Sequence, residues 1–92
     1  MREVLFHYNM KHIDYIPQGV CSRCIHLTIT DDMKIESVSF DGGCSGNLQG
    51  ISSLVKGMMI TDVIARLRGI RCGFKNTSCP DQLCDALEQI VR

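Results

Sequence analysis

The sequence predicts an α+β fold, with an N-terminal antiparallel sheet of hairpins packed against about three C-terminal helices. Three observations predict it. Apolar residues alternate singly with polar ones in segments up to Phe40, the period of a half-buried strand. Beyond Asp41 they recur every three or four residues, the period of a helix with one apolar face. All the strand-like segments precede the helix-like ones, which fits α+β and not a parallel sheet of βαβ units. Ninety-two residues make a single domain, 1–92, since a second would be too small to enclose a core easily.

Val4, Phe6 and Tyr8 alternate with Leu5 and His7 and predict a first strand. A short second strand runs through Ile13 and Tyr15 until Pro17-Gln18-Gly19 breaks the pattern. After Val20-Cys21-Ser22-Arg23-Cys24 the alternation is clean. Ile25, Leu27 and Ile29 share one face, and His26, Thr28 and Thr30 share the other. Asp31-Asp32 signals a turn, and Ile35 to Phe40 reads as the return strand of a hairpin. Asp41-Gly42-Gly43 is a loop. From about Ser45 to Met58, Leu48, Ile51, Val55 and Met58 lie at helical spacing, with Gly57 weakening the last turn. Thr61 is placed to cap a second helix carrying Val63, Ile64 and Leu67, with Gly69 as its stop. The last helix begins at Pro80, where a missing N–H costs least, and presents Leu83, Leu87 and Ile90 as one stripe.

Ten basic and ten acidic residues cancel, so the chain builds no positive field for a phosphate backbone or an anionic membrane. No nucleic-acid or membrane partner is expected. No segment is long and apolar enough to span a bilayer, and Met1-Arg2-Glu3-Val4 does not open a signal peptide. The expected location is cytoplasmic. There six cysteines stay reduced, and thiolate chemistry or metal binding is favoured over disulfides.

Four cysteines fall at glycine-bordered or proline-bordered element ends, outside the apolar stripes. Cys21 precedes the central strand, Cys44 sits in Gly42-Gly43-Cys44-Ser45-Gly46-Asn47, Cys72 follows the second helix, and Cys79 stands just before Pro80. Cys44 and Cys79 would lie at helix N-termini, where the dipole and free N–H groups favour a negative sulfur. Ionised thiols are the ligands that a soft metal requires. A single buried cysteine is usually only a small hydrophobe, but four in such positions favour a site. Cys84, beside Leu83 on the last helix, is adequately explained by core packing. Cys24 completes a C-x-x-C pair with Cys21, either half of a zinc site or a dithiol couple. A strand follows it, where a thioredoxin-like enzyme would place a helix.

Gly42 to Asn47 lacks the lysine of a P-loop and the spacing of a dinucleotide fingerprint. Its backbone N–H groups at a helix start could still hold an anion. Turn geometry is the simpler reason for these glycines. The histidines carry little signal. His26 lies on a strand face that is ordinarily solvated, His7 and His12 sit in or near the first hairpin, and none has a helical i, i+4 partner. Asp41 and Asp81 flank cysteine loops and could orient ligands, though both also suit turns or first helical turns. Lys56, Arg66, Arg68, Arg71 and Lys75 give the middle helices a basic face, which is ordinarily solvated surface.

Thr77-Ser78-Cys79-Pro80-Asp81 spells the signature of the TSCPD family. Gly19-Val20-Cys21-Ser22-Arg23, Phe40 to Leu48, Gly50-Ile51-Ser52 and Gly69 to Lys75 also resemble its short stand-alone members. The resemblance covers most of the chain. It implies kinship with the C-terminal domain of adenosylcobalamin-dependent ribonucleotide reductases, and short members often bear a ribonucleoside-diphosphate reductase label. It also implies that Cys21, Cys44, Cys72 and Cys79 are the family's cysteine positions, with Cys24 and Cys84 as additions. The order of elements is similar to that of iron–sulfur cluster assembly scaffolds, where cysteines occupy comparable places.

Three functions follow as expectations. The first is a metal-binding accessory domain, with zinc, or alternatively iron or an iron–sulfur cluster, held by Cys21, Cys44, Cys72 and Cys79. Four thiolates would close a tetrahedral site and leave no position for substrate. The second is ribonucleotide reduction, or partnership with the reductase in deoxyribonucleotide synthesis. Catalysis by the chain alone is not expected, since reduction needs a large barrel and a radical-generating cofactor. The third is a small homodimeric module that holds a nucleotide or other anionic organic cofactor through Gly42, Gly43, Ser45, Gly46 and Asn47 together with the basic face. The apolar run Met58-Met59-Ile60 supports a homodimer, because one small domain would not bury it fully.

Overall fold

The computed structural model describes residues 10–43 and 45–91. The strand predicted over Val4 to Tyr8 lies outside the described residues. Within them the order is β1 (Lys11–Tyr15), β2 (Ser22–Ile29), β3 (Ile35–Gly42), α1 (Ser45–Val55), α2 (Ile60–Leu67) and α3 (Cys79–Val91). This is the α+β layout that the change of period predicts.

The strands form one antiparallel sheet in the order β1-β2-β3. β1 pairs with β2 from Lys11 opposite Ile29 to Tyr15 opposite Ile25. Ile25, Leu27 and Ile29 on β2 are fully buried, while Cys24, His26 and Thr28 face the other way and stay partly exposed. The alternation fails at two places where the β2–β3 register shifts. Ser22 has the parity of Cys24 and His26, yet it is buried at 4 % exposure. The shift between Ser22 and Cys24 accounts for this, because an extra residue in one strand re-aims its neighbours. A second shift, at Thr28 and Ile29, lets Ile35 and Val38 both enter the core although they stand three apart.

The inner sheet face packs against the apolar sides of the helices. Val55 from α1, Ile60 and Val63 from α2, and Leu83, Ala86 and Leu87 from α3 join Ile25, Leu27 and Ile29 in one cluster. α1 ends at Val55 and does not continue to Met58. The Gly57 N–H donates to the Ile35 carbonyl at 2.8 Å, and the Ile35 N–H donates to the Met58 carbonyl at 2.9 Å. Met59 bridges Lys34. The chain thus leaves the helix to pair with the start of β3, and Gly57 makes the turn at φ +86°.

Thr61 does not cap α2. Met59 occupies that position without a side-chain bond. Its carbonyl accepts the Asp62 and Val63 N–H groups, both at 3.1 Å, while the Ile60 N–H donates to the Met33 carbonyl at 2.9 Å. Of the run Met58-Met59-Ile60, Ile60 is buried, Met58 packs against the core, and Met59 is partly exposed. α3 starts one residue before Pro80. Ser78 caps it, its Oγ accepting the Asp81 N–H at 3.2 Å. Among the described residues, no helix is long and apolar enough to cross a membrane.

Candidate functional site

Cys21, from the entry to β2, and Cys72 and Cys79, seven residues apart across the loop before α3, line a single cavity of about 360 Å³. Cys21 sits in the loop that enters β2, and its thiol is exposed. Cys72 is exposed at the start of a tight loop, where its N–H donates to the Thr77 carbonyl at 3.1 Å. That bond brings it back beside the start of α3. Cys79 is the first residue of α3 and is buried. Its Sγ lies 3.2 Å from the Oγ of Ser22, the residue that the β2 irregularity accompanies inward. Cys44 lies outside the described residues. Its chain neighbour Gly43 is held against Cys21, since a Cβ there would stand 3.4 Å from Cys21 Sγ.

The three thiols share the cavity without closing into a ligand sphere. Among the described residues, the grouping whose donor atoms all lie within 4.8 Å of one another consists of His12, Asp14 and His26. The donor chemistry around the cavity nevertheless suits a soft ion, because all five described cysteines are free thiols and three of them face it. Cys84 stands apart. It is fully buried, its Sγ is 3.8 Å from the Ile64 carbonyl, and burial pushes its thiol pKa up to about 11.

The signature around Cys79 acts as a clasp. Asp81 accepts from Thr77 Oγ1 at 2.6 Å, from the Gly69 N–H at 2.8 Å and from Arg68 Nη1 at 3.1 Å. The Thr77 bond first, then the Gly69 N–H and Arg68, hold its carboxyl below the usual carboxylate range. Arg68 also pairs with Asp85 and Glu88, each at 2.8 Å. Gln82 donates to Thr77 Oγ1 at 3.0 Å and accepts the Gln18 N–H at 3.0 Å. Asp81 therefore ties α2, the Cys72 loop and α3 together, and its oxygens are engaged away from the thiols. Lys56, Arg66, Arg68, Arg71 and Lys75 are all exposed, as a solvated basic face requires; Arg68 is in addition paired with three carboxylates, and Arg71 lines the thiol cavity.

The glycine-bordered loop divides between two cavities. Gly42 and Gly43 border a neighbouring space of about 560 Å³ with Ser52 and Ser53, whereas Asn47 lines the thiol cavity. Gly43 has φ +78°, and a Cβ there would stand 2.9 Å from Leu48 Cδ1. Backbone conformation and close packing thus require glycine at this position. Gly46 has open space around it, and Ser45 opens α1.

The open face of the sheet holds a cluster that sequence reasoning missed. His26 lies between two carboxylates, with Nδ1 2.7 Å from Asp14 Oδ1 and Nε2 2.8 Å from Asp41 Oδ2. The Asp41 bond first, then the Asp14 bond, raise the imidazole pKa. The His26 bond in turn lowers that of Asp14. Cys24 Sγ is 4.0 Å from His26 Nδ1, so Cys24 borders this face and not the thiol cavity. The visible signal was the alternation His12-x-Asp14. Its partner His26 comes from another strand and emerges only with the pairing register.

The family model for the TSCPD domain matches residues 7–91. No curated protein and no solved structure matches the chain.

Proposed function

Because the chain belongs to the TSCPD family, we propose that it is a metal-binding accessory domain related to ribonucleotide reductase. Cys21, Cys44, Cys72 and Cys79 would hold the ion. The observation that carries this is the convergence of Cys21, Cys72 and Cys79, from two loops and a helix start, on one cavity. A metal there would supply cross-linking of those segments, as four thiolates leave zinc no open position for chemistry. Iron or an iron–sulfur cluster could use the same donors. The residues around the cavity do the rest. Ser22 can donate to the Cys79 sulfur, the Cys72–Thr77 bond orders the loop, and Asp81 fixes the start of α3. The role would be structural or regulatory, assisting a reductase in deoxyribonucleotide synthesis.

Native mass spectrometry of reduced protein tests this, because it weighs metal, organic ligand and subunit count together. One zinc per chain in the thiol cavity is expected, with thiolate-to-metal charge transfer after cobalt(II) substitution. Cys21→Ser/Cys72→Ser should lose that charge-transfer signal. A reduced, folded chain that takes up no metal through its thiols would overturn the assignment. Ribonucleotide reduction by the pure chain, given cobalamin and a reductant, would replace it with catalysis.

A second reading draws on the larger cavity beside Gly42 and Gly43. Arg23 Nη1 is 3.1 Å from where a Gly42 Cβ would stand, and this cation supports an anionic organic ligand, such as a nucleotide, at the loop 42–47. Retention of an organic mass without metal in the same experiment would favour it. Leu54, 77 % exposed, and Met59 leave apolar surface that supports a homodimer in either case.

A further inference from the structure

His12 and Asp14 stand two apart on β1, so the pleat puts them on one face. Asp14 is directly opposite His26 on β2, and His12 is opposite Thr28. The two imidazoles converge on one oxygen: Asp14 Oδ1 is 3.1 Å from His12 Nε2 and 2.7 Å from His26 Nδ1. Each of the three residues offers a donor atom within 4.8 Å of the others. We infer that His12, Asp14 and His26 form a second metal site, independent of the thiols, for a divalent transition-metal ion such as zinc.

The outer hydrogen bonds favour a metal over a chance surface cluster. A ligating histidine must turn one lone pair to the metal, and its other ring nitrogen ordinarily donates to a fixed acceptor. Both histidines have that acceptor in place. His12 Nδ1 is 3.1 Å from Thr28 Oγ1, and His26 Nε2 is 2.8 Å from Asp41 Oδ2. Without an ion, Asp14 accepts from the nitrogens that face it; an ion bound there would replace those two protons, while the outer contacts to Thr28 and Asp41 hold the proton on the opposite ring nitrogen. Two imidazoles and a carboxylate suit zinc, iron(II), nickel or copper(II), in contrast to the oxygen sets preferred by magnesium and calcium. Asp14 and Asp41 together match the charge of a divalent ion. Paired strands hold His12, Asp14 and His26 in place, and their partial exposure gives an ion direct access from solvent. Three protein donors leave a coordination position for water.

The test is zinc titration of the full chain carrying Cys21→Ser and Cys72→Ser, which silences the thiol cavity. Long-range proton–nitrogen NMR of the imidazoles at neutral pH reads the ligands, and competition with a chromophoric chelator reads the affinity. One zinc should bind, shifting His12 Nε2 and His26 Nδ1, with Nδ1 of His12 and Nε2 of His26 remaining protonated. Asp41→Asn should weaken binding by about 10- to 100-fold, through loss of the charged outer acceptor of His26. Adding His12→Gln and His26→Gln should abolish binding, with circular dichroism confirming the fold. Unshifted imidazoles at excess zinc, or unchanged affinity in that folded double-histidine variant, would overturn the site.

Discussion

Asp81 joins three elements through one carboxylate. Its pKa is depressed in the folded state, so the unfolded chain binds its proton more readily and folding is favoured wherever that carboxyl is ionised. The stabilisation is present above about pH 4, the ordinary aspartate value, and is lost as pH falls through the lower native one. Asp81→Asn should cost about 2 kcal/mol at neutral pH, typical for a hydrogen bond to a charged group. In urea unfolding at several pH values, the gap from the parent chain should close in acid. A gap that ignores pH would contradict this account. The cysteines provide a second check. Cys21 and Cys72 are exposed, whereas Cys84 is buried with its pKa at about 11. In metal-free protein, mass spectrometry should find Cys21 and Cys72 alkylated first and Cys84 only after denaturation.

The helices were readable as stripes, and Gly69 and Pro80 mark two of their ends within a residue or two, but the end of α1 was not readable. Leu48, Ile51 and Val55 repeat at helical spacing, and that spacing reports which face is buried. The same spacing includes Met58, which the chain nevertheless withdraws to bond Ile35. The competitor is a strand more than twenty positions earlier, so no local pattern announces it. Gly57→Ala should cost about 1–2 kcal/mol, because the left-handed turn strains any residue with a Cβ. Space around Gly57 is open, so the loss should come from backbone strain alone. Thermal unfolding that matches the parent would show that the turn relaxes. β2 has a comparable hidden feature. Its alternation was plain from Ile25 to Ile29, whereas the inward turn of Ser22 depends on the register with β3.

Across the molecule, the sheet and helices share one core, so local damage should spread. Leu83 is fully buried among residues of the sheet and helices, and Leu83→Ala should lower stability by about 3 kcal/mol in a single cooperative transition. Filling the thiol cavity with zinc should act in the opposite direction. It would bind the folded chain in preference to the unfolded one, so chelation should lower the melting temperature. A melting temperature unaffected by chelator would weigh against a structural metal. Core and cavity meet at Cys79, whose helix carries Leu83 and Leu87 inward and sets the first thiol beside Ser22.

The order of the described elements, the inner sheet face and the placement of Cys21, Cys72 and Cys79 at loops and a helix end could be inferred from one dimension. Periodicity and turn chemistry are local responses to burial and backbone freedom, so they leave a trace in the order of residues. Which donors meet is a different kind of fact. It depends on pairing register and on loops folding back, and these are set by energies summed over the whole core. That is why Cys21, Cys72 and Cys79 share a cavity while Cys24, three residues after Cys21, faces His26 on the opposite side of the sheet.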